Sequence, residues 1–226
     1  MINSVMGKVE IERALRLLEE IKKAAAGREI EIVAATKTVS FETIKELFDN
    51  TPIKVAGENR AQELMQKYHP SVLWDFIGRL QTNKVKYIID KVRLIQSLDR
   101  RNLLETINKE AAKHNKVQDV LLQINTGKEE VKGGVNPEEA LEAASAIQNY
   151  ANVRLKGIMA VTPLDISVSE RQKCFDTAYG IFAQLKQSYK GIEYLSMGMS
   201  NDYIQAIESG ANMIRPGRAI FGERAY

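Results

Sequence analysis

Short apolar runs alternate with amphipathic stretches along most of the chain. The runs are Ile30–Thr36, Ile53–Ala56, Leu73–Ile77, Val92–Gln96, Val117–Ile124, Val153–Ala160, Ile192–Leu195 and Asn212–Arg215. Several are apolar on both faces and rich in β-branched residues, as parallel strands covered on both sides should be. The stretches between them carry helix-start signals. Asn136-Pro137-Glu138-Glu139 sets an N-cap before a proline at the first helical position. Ser169-Glu170-Arg171-Gln172 fits a capping box, and Ser40 and Asp99 are candidate caps for two other helices. Ahead of the first run, Val5, Val9, Ala14, Leu15, Leu18 and Ile21 fall at helical spacing. Ala24 to Ala26 continue that helix and Gly27 stops it. Its apolar stripe is read as packing rather than as a partner surface.

Strand then helix, repeated about eight times without a break, predicts an α/β fold. We read it as a single (β/α)₈ TIM barrel over residues 1–226, with an extra N-terminal helix. An open doubly wound sheet is the main alternative. It would usually carry a Gly-rich phosphate loop after the first strand, and the sequence has none.

Composition narrows the picture. The 226 residues suit one barrel of roughly 250 residues. Apolar residues make up 44% and charged residues 27%, enough for a sizeable core. A net charge of +3, from 32 basic and 29 acidic residues, is too balanced to suggest a nucleic acid or an anionic membrane as partner. Cys174 is the one cysteine, which excludes an intrachain disulfide and fits a reducing compartment. The two histidines, His69 and His114, lack the spacing of metal ligands. The segment from Lys8 to Lys23 is too charged for a signal peptide or a membrane span, so the chain is expected to be cytoplasmic.

In such barrels the chemistry sits at the C-terminal ends of the strands. The first run ends in Lys37, which would point toward the mouth. A half-buried lysine there could attack an aldehyde as a neutral amine; the plain alternative is one more solvated lysine. The second run ends Gly57-Glu58-Asn59, where Asn59 with Gln62 could equally be a helix cap. After the third run, Trp74 and Phe76 read as packing. After the fifth, Asn125 faces the site or begins a turn. The seventh run leads into Ser196-Met-Gly-Met-Ser200-Asn201-Asp202, and the eighth into Arg215-Pro-Gly217-Arg218. Loops in those two places often bind phosphate, through free backbone N–H groups and small residues. The alternative is that Ser200 or Asn201 caps the next helix and Gly217 only makes a turn. Arg215 could face a pyridine nitrogen, which a guanidinium would leave unprotonated because it donates and cannot accept. Together these residues would match a phosphorylated aldehyde on a pyridine ring.

The motifs Ala35-Thr-Lys-Thr38, Gly57-Glu-Asn59, Phe76-Ile-Gly78, Gln81-Thr-Asn-Lys84, Gln123-Ile-Asn125, Gly157-Ile-Met-Ala160, Ser196-Met-Gly-Met-Ser200 and Ile220-Phe-Gly222 resemble the pyridoxal phosphate homeostasis proteins. These are also called the YggS-like family, and they are related in fold to the N-terminal barrel of alanine racemase. The likeness runs in order through nearly the whole chain. It implies a Schiff base between Lys37 and pyridoxal phosphate (PLP), Asn59 near the ring and Arg215 at the ring nitrogen. It implies Ser200 and the Gly217 loop at the phosphate. Two positions depart from it: Asp75 stands where the family usually has histidine, and Arg218 where it often has threonine or serine. Arg218 could bind phosphate by charge, or turn to solvent and leave the backbone to bind.

The resemblance implies a carrier that holds, buffers and passes PLP, in transient contact with PLP-dependent apo-enzymes, without catalysis. Racemisation needs an acid/base group on each face of the substrate. The related racemases take the second, a tyrosine, from a separate domain, and this chain ends at Tyr226. A monomer is therefore expected. Tyr203 is the one nearby substitute, and we read it as packing. A slow amino-acid racemase and a PLP-free Schiff-base aldolase remain as alternatives. The basic stretch Arg100-Arg101 to Lys113-His114 is read as a solvated helix face.

Overall fold

A computed structural model describes residues 2–127, 133–163 and 165–223, with the side chains of residues 2–7 excepted. Val5 and Tyr226, used above, lie outside the described side chains. Eight parallel strands close into a barrel in sequence order, each paired with its neighbours and the first with the last. They are β1 (Glu31–Ala35), β2 (Val55–Glu58), β3 (Leu73–Phe76), β4 (Leu94–Leu98), β5 (Gln118–Ile124), β6 (Val153–Ala160), β7 (Tyr194–Ser196) and β8 (Met213–Ile214). The open sheet is thereby set aside.

The helices α2 (Phe41–Asn50), α3 (Ala61–Lys67), α4 (Thr82–Ile88), α5 (Arg101–Lys113), α6 (Ala140–Ile147), α7 (Val168–Ser188) and α8 (Tyr203–Glu208) follow β1 to β7, one each. Among the described residues, the four-residue α9 (Arg218–Phe221) follows β8. The N-terminal helix α1 (Ile2–Ala25) packs against α2, α8 and α9, so it takes the outer place that a full-length eighth helix would fill. Its buried face is Ala14, Leu17, Ile21 and Ala25, whereas Leu15 and Val9 are exposed. The stripe read from the sequence was therefore rotated. The buried residues step by three or four, and the leucine at position 17 belongs to the face rather than the one at 15.

Strand alternation sorts the core into two parts. Val33, Val55, Leu94, Leu121, Met159 and Met213 form a cluster inside the barrel. The residues next to them, such as Ile32, Ala34, Ala56, Ile95 and Ile214, belong to the larger cluster under the helices. Successive side chains on a strand point to opposite faces, so the parity of one residue fixes its neighbours. On β3, Trp74 and Phe76 pack outward, as expected, and Asp75 between them faces inward.

Three cap assignments held in part or moved. Ser40 caps α2, its hydroxyl accepting from the Thr43 N–H at 3.2 Å. The capping box of α7 is Ser167 with Glu170, two residues before the expected Ser169. Asp99 does not cap α5; it pairs with Arg100, which is the N-cap residue and makes no capping bond of its own. Pro137–Glu139 forms a 3₁₀ turn that leads into α6.

Candidate functional site

Parity carries through to the barrel mouth. With Val33 inside, Ala35 and Lys37 follow on the same side. With Val55 inside, Gly57 and Asn59 follow. With Met213 inside, Arg215 follows. Ala35, Lys37, Asn59 and Arg215 meet in one cavity of about 520 Å³ at the C-terminal ends of β1, β2, β7 and β8. Its lining includes Lys37, Asn59, Ser200, Arg215, Gly217 and Arg218, all six residues singled out from the sequence.

Lys37 is half-buried and sits at the start of a tight turn. The Val39 N–H donates to the Thr36 carbonyl at 2.9 Å, and Thr38 adopts a left-handed φ of 64°. A β-branched residue resists that conformation, so other contacts must hold it. Helix α3 supplies them. Lys67 Nζ donates to the carbonyls of Thr36 at 2.7 Å and Val39 at 3.1 Å. The Thr38 N–H donates to Glu63 Oε2 at 2.9 Å. Behind the turn, Lys67 lies 2.5 Å from the fully buried Glu58 carboxylate, which also accepts from Thr36 Oγ1. Burial pushes the Glu58 carboxyl up from its usual range, and Lys67 pulls against that.

Asn59 does not cap a helix: the N-cap of α3 is Arg60. Gly78, from the Phe76-Ile-Gly78 motif, lets the next loop close on it. A Cβ at Gly78 would strike the Asn59 backbone.

On the opposite side, Ser200 does not cap α8, whose N-cap is Asp202. Its hydroxyl instead accepts from two backbone N–H groups at the start of α9, Gly217 at 3.0 Å and Ala219 at 3.1 Å. Gly198, at φ +92°, shapes the β7–α8 loop, and its carbonyl accepts from the Arg215 N–H at 2.9 Å. Arg218 opens α9 with its side chain half-exposed, 3.7 Å from Glu223.

Arg215 is buried. It donates to Ser196 Oγ at 2.6 Å and to the Ala160 carbonyl at 2.8 Å. Burial lowers its pKa to about 10, with Asp202 opposing, so it stays charged near neutrality. Asp202, which sequence reading gave no role, accepts from the Met199 N–H at 2.7 Å and from Thr162 Oγ1 at 2.9 Å. Arg171, 3.9 Å from Asp202, also lines the cavity and was not foreseen.

Other sequence candidates lie elsewhere. Tyr203 turns away from the cavity and bonds Glu20 of α1. His69 stacks on Phe41, and His114 is the C-cap of α5. The Asn125 N–H bonds the Val135 carbonyl in a turn, and Asn125 does not line the cavity. In the basic stretch, Arg101 and Lys113 form exposed pairs with Glu105 and Glu110, but Arg100 reaches inward to the Leu80 carbonyl. Asp75 is completely buried beneath the cavity. Burial pushes its carboxyl up, while Arg93 and Gln96 hydrogen bonds pull it down. Among the described residues, no helix is long and apolar enough to cross a membrane, and no group of three His, Cys, Asp or Glu could hold a metal ion.

Comparison with known proteins places the fold. The family model "alanine racemase, N-terminal domain" matches residues 12–225. A pyridoxal phosphate homeostasis protein of Aquifex aeolicus is 44% identical over 225 residues, which is 95% of this chain and 98% of that one. The solved structure of PipY from Synechococcus elongatus with PLP bound superimposes with a TM-score of 0.82 at 26% identity, covering 94% of this chain and 100% of that one. An alanine racemase of Clostridium difficile, in complex with cycloserine, gives a TM-score of 0.72 at 17% identity. It covers 92% of this chain and 59% of that one, and shows the shared fold alone. The matched barrel and the close relative, both running through nearly the whole sequence, establish that this chain belongs to the pyridoxal phosphate homeostasis protein family, built on the alanine racemase N-terminal barrel.

Proposed function

We propose that this chain binds pyridoxal phosphate in the cavity at the barrel mouth, anchors it through Lys37, and buffers it without catalysis. It does so as a monomer in the cytoplasm, and gives the cofactor up in transient contact with apo-enzymes that need it. One observation carries this reading: an amine, a buried guanidinium and the Ser200 hydroxyl with the Gly217 backbone that bonds it converge on a single cavity. Bound there, the cofactor supplies an aldehyde that an amine can capture and a ring that draws electrons from what is attached to it.

The residues fit that group. The Gly217 and Ala219 N–H groups and the Ser200 hydroxyl suit a phosphate, with Arg218 adding charge from the rim. The Arg215 guanidinium suits a ring nitrogen, because its hydrogen-bond partners are neutral oxygens that leave its charge unpaired. A guanidinium donor there keeps that nitrogen unprotonated and weakens the ring as an electron sink. Lys37 supplies the amine, and the α3 clamp fixes the turn that presents it. Among the described residues, no histidine, cysteine or tyrosine lines the cavity, and its two carboxylates are already engaged, Asp202 by the Met199 N–H and Thr162 Oγ1 and Glu223 beside Arg218. That supports a carrier over a racemase.

The test is the visible absorption spectrum of the protein with added PLP, beside Lys37→Ala. A band in the wild type and none in the variant is expected. No band in the wild type, even with excess cofactor, overturns the reading. Amino-acid racemisation above the Lys37→Ala background would establish the enzyme instead of the carrier.

A further inference from the structure

A polar column runs through the barrel from floor to mouth, beside the apolar cluster of Val33, Val55, Leu94, Leu121, Met159 and Met213. At the floor, Arg93 bonds Glu31 and holds Asp75 with two bonds, Nε to Oδ1 at 3.0 Å and Nη2 to Oδ2 at 3.0 Å. Gln96 Nε2 donates to Asp75 Oδ2 at 2.8 Å. Ser196 Oγ donates to Gln96 Oε1 at 2.7 Å, and Arg215 Nη1 donates to Ser196 Oγ at 2.6 Å. Asp75, Gln96 and Ser196 are at most 1% exposed, and Arg215 is 4% exposed.

The direction of every bond follows from its end. An ionised carboxylate only accepts, so the Gln96 amide must turn its NH₂ toward Asp75 and its oxygen toward Ser196. That oxygen takes the Ser196 proton, which leaves the Ser196 lone pairs for Arg215. Flipping the amide would set two acceptors against each other in a dry core, where an unmade bond is most costly. The column also balances its charge: Glu31 and Asp75 against Arg93 and Arg215. Among the described residues no carboxylate bonds Arg215; Asp202 acts on it only through space, and Asp75 acts through two neutral side chains.

We infer that Asp75 is a positioning residue for the cofactor site: through Gln96 and Ser196 it sets the orientation of the Arg215 guanidinium that faces the ring nitrogen. This rests on the PLP reading above. Two variants test it, Asp75→Asn, which allows the amide to flip, and Gln96→Met, which cuts the chain while leaving the Asp75–Arg93 pair intact. Both are compared with wild type by PLP titration, by the absorption maximum of the bound cofactor, and by the Arg215 guanidinium NMR signal in cofactor-free protein, assigned by its loss in Arg215→Lys. Both variants should still bind one PLP, with roughly tenfold weaker affinity and a shared shift of the absorption maximum. Both should also move the Arg215 signal. An unmoved absorption maximum and an unmoved Arg215 signal, with only the melting temperature lowered, would mean that the column is structural and would overturn the inference. If wild type binds no PLP, the cofactor reading fails by itself, and the Arg215 signal still decides whether Asp75 orients the guanidinium.

Discussion

The two sides of the cavity are built in opposite ways. On the β1–β2 side, side chains hold a backbone: Lys67, Glu58 and Glu63 brace the turn that presents Lys37. On the β7–β8 side, a backbone holds a side chain: two main-chain N–H groups grip the Ser200 hydroxyl. The first arrangement depends on charges out of water, and it fails if one partner is lost. The second uses groups every residue except proline carries, and it tolerates changes at its rim. In the proposed binding mode the anchor must meet one carbon atom and needs the stiffer support, whereas a phosphate accepts donors from many directions.

Lys67→Met should break this comparison most sharply. It leaves the Glu58 carboxylate buried without its partner, so stability should fall by about 3 kcal/mol. Urea unfolding reads this, and a loss below about 1 kcal/mol would mean that the clamp is not stabilising. On the other side, Ser200→Ala removes the acceptor shared by the Gly217 and Ala219 N–H groups. The expected costs are about 1 kcal/mol in stability and roughly tenfold in PLP affinity. Calorimetric titration with PLP measures the second, and unchanged affinity would remove Ser200 from the phosphate site. Arg218→Ala should do least. Its side chain is half-exposed, so affinity should drop only about threefold, and less at high salt. A loss as large as that of Ser200→Ala would make Arg218 a direct ligand rather than a charge at the rim.

The sequence made the barrel legible because each strand is short, apolar and followed by an amphipathic stretch. Strand ends were less legible, since β2 runs on to Glu58, a charged residue that no apolar count would include. Lys37, Asn59, Ser200, Arg215 and Gly217 were found by type and place past a strand, and Arg218 by the family resemblance. Glu58 was seen only as part of a motif, and its partner Lys67 was not seen at all. Parity holds the missing signal: with Asn59 facing the mouth, Glu58 must point outward, where a buried carboxylate needs a cation from the next helix. The Asp75 to Arg215 column was beyond sequence reading, because its members come from β3, β4, β7 and the segment after β8. Only barrel closure brings them together. Asp75 was visible as an oddity without a partner in view.

The place of α1 has a consequence for synthesis. Glu20 meets Tyr203 across 183 residues of sequence. A ribosome adding roughly 10 residues per second makes the two about 20 seconds apart. For that interval the face of Ala14, Leu17, Ile21 and Ala25 has only α2 of its three final partners, and the seam between β8 and β1 cannot form. The nascent chain is therefore most exposed to aggregation just before its last strand emerges, and chaperone contact with the α1 face should peak then.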